Sequence, residues 1–205
     1  MSNGAVPRGA ERADGDLFGP RFELFADVLG IGLATAVAGL PLVTFPAALS
    51  TACTLLRRRR LYGEPCTAGR YFAALRTRMA RPGEWAAGAI VLVLGALAAA
   101  DAGLASAGLP GAVPFAVLLA AVVVAAVVIG LRSCALYGPA GSGWRGALRA
   151  GAARCAGDLP GSAVVLLALG TAVVCAGALP PVLFLVPGPL ALALTAVELR
   201  WEDGR

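Results

Sequence analysis

Between Phe22 and Leu199 long apolar runs alternate with short stretches crowded with arginine, and this alternation restricts the fold more than any motif does. Runs this continuous, without amphipathic spacing, suit helices that face lipid or one another on every side. Composition agrees. The 205 residues are 59% hydrophobic and 14% charged, with a mean hydropathy of +0.80, which leaves too little polar surface for a soluble domain. The expected fold class is all-α: a polytopic membrane helical bundle of about six transmembrane helices, arranged as three hairpins with short cytoplasmic interfacial helices.

The stretch Gly39 to Arg60, GLPLVTFPAALSTACTLLRRRR, shows the plan most clearly. Proline removes a helical hydrogen bond and disfavours helix in the residue before it, so Pro41 and Pro46 break the apolar run. Helix 1 is predicted over Phe22–Leu40 and helix 2 over Pro46–Arg57; one long, kinked span is the alternative. The second is short for a hydrocarbon core of about 30 Å. Residues 61–84 carry Arg70, Arg76, Arg78 and Arg81, too much charge for a span, and predict an interfacial helix over Ala73–Arg81. Further spans are expected over Trp85–Ala100, Val113–Leu131, Val164–Leu179 and Val182–Leu199, with a polar stretch from Arg132 to Asp158. One membrane domain would thus cover 21–200. A polar, disordered tail is expected over 1–20, without the apolar core of a signal peptide, and a short tail over 201–205.

Orientation follows from charge. With the N-terminus inside and six spans, all seventeen arginines fall on the cytoplasmic side; five spans would put Arg8, Arg12 and Arg21 outside. Trp85, Trp144, Trp201, Tyr62, Tyr71 and Tyr137 gather near the same interface, where amphipathic rings prefer to sit.

The plan repeats. Leu56-Arg57-x-x-x-Leu61-Tyr62-Gly63 recurs as Leu131-Arg132-x-x-x-Leu136-Tyr137-Gly138, and Ala74-Leu75-Arg76-x-x-x-Ala80-Arg81 as Ala147-Leu148-Arg149-x-x-x-Ala153-Arg154. The corners Leu40-Pro41, Leu109-Pro110 and Leu179-Pro180 supply a third series. Three pseudo-repeats are inferred, over about 21–60, 70–136 and 144–200, each turning at Leu-Pro.

Several function classes lose their chemistry here. No histidine is present, which removes the usual general base, metal ligand and pH switch. Cys53, Cys66, Cys134, Cys155 and Cys175 show neither C-x-x-C nor metal spacing and read as small buried apolar residues or reduced cytoplasmic thiols. Serines lack a triad partner, and the Gly-rich piece from Gly138 to Gly143 lacks the Lys-Ser/Thr ending of a phosphate loop. No catalytic machinery, cofactor or metal site is expected. Arg57, Arg58, Arg59 and Arg60 directly follow a span, so they read as a stop-transfer signal. Together with Arg76, Arg78 and Arg81 they form a surface for anionic lipid headgroups rather than nucleic acid. Thr44, between Pro41 and Pro46, can satisfy carbonyls freed by the helix break. Asp27 is the speculative intramembrane acid, with a topological anchor near a helix N-terminus as its plainer role. Asp101 and Glu198 read as ordinary span-end acids.

Leu40-Pro41-Leu42-Val43-Thr44-Phe45-Pro46-Ala47-Ala48-Leu49, followed by the basic stretch and Gly63-Glu64, resembles the YesL-like family of bacterial membrane proteins. Members often carry Gly where Phe45 stands. The resemblance implies a protein of the bacterial inner (cytoplasmic) membrane, in many relatives associated with carbohydrate uptake and breakdown, and brings no catalytic residues with it. The expected role is an accessory or assembly partner of a membrane transport system, with permease subunits as partners. The alternative is a small transporter or channel acting by itself.

Overall fold

The computed structural model describes residues 20–106, 112–138, 143–179 and 183–203. The expected N-terminal tail, the Leu109-Pro110 corner, Pro180 and the last two residues lie outside the described residues. Among the described residues there are eight α-helices and no strand. In order these are α1 (Pro20–Ala38), α2 (Phe45–Tyr62), α3 (Ala68–Met79), α4 (Pro82–Ser106), α5 (Ala112–Leu136), α6 (Gly143–Gly157), α7 (Leu159–Ala178) and α8 (Pro187–Asp203). Three of them, over Pro82–Ser106, Val113–Leu136 and Leu159–Ala178, are long and apolar enough to cross a membrane. At 1.5 Å per residue α4 and α5 each reach about 37 Å, more than the hydrocarbon core of about 30 Å.

The helices outrun the apolar runs that announce them. α2 continues through all four arginines to Tyr62, α4 and α5 both extend past their apolar runs, and α8 carries on through Trp201 to Asp203. Arginine is a good helix former, so charge ends a membrane-compatible stretch without ending the helix. The helix expected over Ala73–Arg81 instead begins after Thr67, whose hydroxyl accepts from the Arg70 N–H at 3.4 Å, and ends at Met79. Two further corrections follow. Asp101 and Arg132 lie inside α4 and α5 rather than at their margins, and the polar stretch before Asp158 contains a helix of its own, α6. Glycine does end helices here: Gly63 (φ 67°) and Gly138 (φ 105°) take the left-handed conformation just after α2 and α5, at matching places in the repeated Leu-Tyr-Gly motif.

A single 3-10 turn, Leu42–Thr44, joins α1 to α2. The Thr44 hydroxyl is shared between the carbonyls of Ala38 and Pro41, and Pro46 occupies the first turn of α2, where its missing N–H costs nothing. Tertiary contacts place this corner. The Val43 backbone lies against Gly88 in the second turn of α4, too close to admit a β-carbon, and the Cys134 thiol in the last turn of α5 approaches the Pro46 carbonyl at 3.9 Å. From Gly88, α4 runs a further 27 Å or so to Ser106. The Leu40–Pro46 corner therefore packs near the start of α4 and the end of α5.

The core is built around α2 and α8. α2 packs on α1, α3, α4, α5 and α8, while α8 packs on α1, α2, α5 and α7. Ala47, Ala48, Leu49, Ala52, Ala191 and Leu194 are sealed from solvent, and the Cys53 thiol of α2 approaches the Ala191 carbonyl of α8 at 3.9 Å. Small residues set the spacing. A β-carbon at Gly32 would meet the Gly188 backbone nitrogen at 2.8 Å, so α1 and α8 touch main chain to main chain. Buried hydroxyls serve their own helices: Thr35 donates to Ile31, and Ser50 and Thr51 both donate to Ala47. The far halves of α4, α5 and α7 are different, with side chains such as Leu97, Leu104, Val117, Leu118, Val173 and Val174 exposed.

Candidate functional site

The arginines separate into two populations. Arg57 donates to Glu202 of α8 at 2.6 Å, and Arg59 reaches Asp27 at 3.0 Å and Glu23 at 3.5 Å on α1. Asp27 is thus half of an interhelical ion pair. Arg78 turns inward, donating to Ser50 at 2.7 Å and Thr54 at 2.9 Å on α2, and burial lowers its pKa. Arg58, Arg60, Arg76 and Arg81 stay exposed, Arg58 lying 3.9 Å from Glu64. Of the arginines predicted to meet lipid, Arg57, Arg59 and Arg78 are thus occupied with the protein itself.

The densest polar site is one that span-by-span reading passes over. Arg132, one turn before the end of α5, is wholly buried, and each of its nitrogens is engaged. Its Nε donates to Glu198 of α8 at 2.9 Å; one terminal nitrogen donates to Asp158 at 3.0 Å; the other donates to Ser162 and to the carbonyls of Arg154 and Asp158. Glu198 also pairs with Arg154, whose second nitrogen lies 3.9 Å from Glu202. An alternating chain of charge thus runs Arg57, Glu202, Arg154, Glu198, Arg132, Asp158 and ties α2, α5, α6 and α8 to the start of α7. Glu198 is a sealed ligand to two guanidinium groups, correcting its reading as an ordinary span-end acid.

Asp158 has a second task. Preceding Leu159-Pro160-Gly161, it caps α7, its carboxylate accepting from the Gly161 N–H at 2.9 Å. Burial pushes this carboxyl up, but the Gly161 N–H and the Arg132 guanidinium outweigh that and hold it below the usual carboxylate range. A local signal existed here, since Asp-Leu-Pro-Gly before an apolar run is a helix start. Nothing local pointed to Arg132, whose partners are 26 and 66 residues away.

A second cluster joins α3, α4, α5 and α6. Glu84, buried in the first turn of α4, accepts from the Trp144 indole at 3.0 Å, while its other oxygen finds no hydrogen-bond partner among the described residues. Trp144 stacks on Tyr137 at 4.6 Å, and the Arg78 guanidinium sits 4.9 Å from the Tyr137 ring centre. Burial first, and then Glu84, raise the Tyr137 phenol. Asp101 is also buried, with one oxygen lacking a hydrogen-bond partner among the described residues, although it lies in the apolar far half of α4. That position corrects its reading as a span-end residue.

Above this cluster lies an apolar cavity of about 550 Å³ between the corner, α2, α4 and α5. Leu42, Phe45 and Leu49 form one wall, Leu94 and Val127 face them, and Trp144 lines it from α6. No group of three His, Cys, Asp or Glu side chains is placed to hold a metal ion among the described residues, and the cysteines there are free. No protein-family model, no curated protein and no solved structure matches the chain.

Proposed function

We propose that this chain is an accessory or assembly partner of a membrane transport system in the bacterial inner membrane. Its sequence resemblance to the YesL-like family points to carbohydrate uptake as the setting. The observation that supports a partner role is the bareness of the far halves of α4, α5 and α7. Glycines there, Gly103, Gly170 and Gly177, would find nothing within 4 Å of an added β-carbon. Hydrocarbon supplies no hydrophobic drive between helices, so association rests on close backbone approach at small residues, which these faces leave available.

In this reading the arginine-rich end is cytoplasmic. α4, α5 and α7 cross the membrane, and α8 returns the chain to the cytoplasmic side. α1 and α2 enter from the cytoplasm and turn back at the Leu40–Pro46 corner without reaching the far surface. Both termini stay inside, as in the six-span reading, because a hairpin that returns to its own side leaves parity unchanged. Exposed Arg58, Arg60, Arg76 and Arg81 contact anionic headgroups, at about 1 kcal/mol each.

The deciding experiment is crosslinking and affinity recovery of the full chain from native membranes, beside flux assays in liposomes. Recovery of a permease with inert liposomes is the expected result. Solute movement by the purified chain alone would replace this reading with that of a self-sufficient transporter.

A further inference from the structure

We infer that the cavity between α2, α4 and α5 is a binding site for one acyl chain of an anionic phospholipid, whose phosphate is held by Arg145 and Arg149. This goes beyond the partner role and does not depend on it. Shape argues for a chain. Lining residues on α4 run from Ala87 to Ala98, about 16 Å along the helix, so the cavity is elongated along α4, as an extended acyl chain is. Wall chemistry agrees, since the lining is almost wholly apolar and Ile90, half exposed, opens it onto the outer face of α4.

Charge argues for an anionic headgroup. On α6, Ala147 and Gly151 face α5, with Gly151 packed against Ser133, while Trp144 and Leu148 line the cavity. Successive helical residues are about 100° apart, so Arg145 and Arg149 lie one step beyond the lining face, away from α5. Both are exposed, and neither takes part in an ion pair among the described residues. They therefore flank the lining residues Trp144 and Leu148 on α6, exposed beside an indole, the side chain that favours the headgroup level.

Two glycines make the site testable. Gly95 and Gly130 line the cavity, and a β-carbon on either meets nothing within 4 Å, so leucine there fills the cavity without displacing backbone. Native mass spectrometry of the full chain should show phosphatidylglycerol retained about tenfold or more over phosphatidylcholine of matched chains. Arg145→Gln with Arg149→Gln should abolish the preference, and Gly95→Leu with Gly130→Leu should remove the bound lipid. With Trp85→Phe and Trp201→Phe leaving Trp144 as the sole indole, phosphatidylglycerol brominated on its chains should quench its fluorescence, and the leucine pair should relieve this. Equal retention of both lipids, or retention untouched by the leucine pair, would overturn the inference. So would a co-purifying protein that shields Trp144 from the brominated lipid, which would give the cavity to a partner instead.

Discussion

Arg132 and Arg57 occupy the same place in the repeated Leu-Arg motif, and each reaches a carboxylate of α8, Glu198 and Glu202, one helical turn apart. Their surroundings make them unequal. Arg132→Gln strands Glu198 and Asp158 in a sealed site and should cost about 3–5 kcal/mol, read as a large fall in melting temperature in detergent. Arg57→Gln leaves Glu202, about a third exposed, to water, and should cost less than about 1 kcal/mol. Equal losses would mean that burial does not govern this network. Asp158 gives the network a pH dependence. A carboxyl whose folded pKa is depressed stabilises the fold above its unfolded value, here 3.8, and loses that contribution as pH falls through the lower folded value. Melting temperature should therefore drop below about pH 4 more steeply in the native chain than in Asp158→Asn. Parallel curves would show that Asp158 carries no such linkage.

At the scale of elements, the helix starts and stops were partly legible. Leu-Pro-x-x-Thr-x-Pro marked the break between α1 and α2, whereas the ends of α2 and α5 were expected at Arg57 and Leu131 and lie at Tyr62 and Leu136. Arginine misled, because it halts an apolar run while remaining helical, so α2 and α5 reach further than hydropathy suggests. The depth of the corner was not legible at all, since it depends on Val43 finding Gly88 from 45 residues away in sequence. Gly88→Leu should push the corner off α4 and cost about 1–3 kcal/mol by overpacking, whereas Gly95→Leu on the same helix should be tolerated. A thermal melt of each in matched detergent checks the contrast, and equal melting temperatures would place the corner elsewhere.

For the whole molecule the test is topology. In a background with the five cysteines replaced, a single cysteine at Ser106 should react with an impermeant probe from outside, and one at Gly63 only after the membrane is opened. A cysteine at Leu42, exposed on the corner yet placed in hydrocarbon by the shallow hairpin, should react from neither side. Labelling of Leu42 from outside would restore a full crossing by α1 and α2, and reversal of the Ser106 and Gly63 results would invert the protein.

By itself the sequence determined that this is a helical chain with apolar stretches of membrane-spanning length and that its charge collects between them. Those properties reside in composition and in local order, where each residue's preference for lipid, water or helix acts over a few neighbours. Only the tertiary structure decided which arginines meet carboxylates and which face outward, and that α2 and α8 form the centre. It also decided which helices the first corner packs on and where a cavity opens. Each of these depends on the meeting of residues tens of positions apart, at glycines that let backbones touch and at charges that burial forces to pair, and no local pattern encodes that meeting.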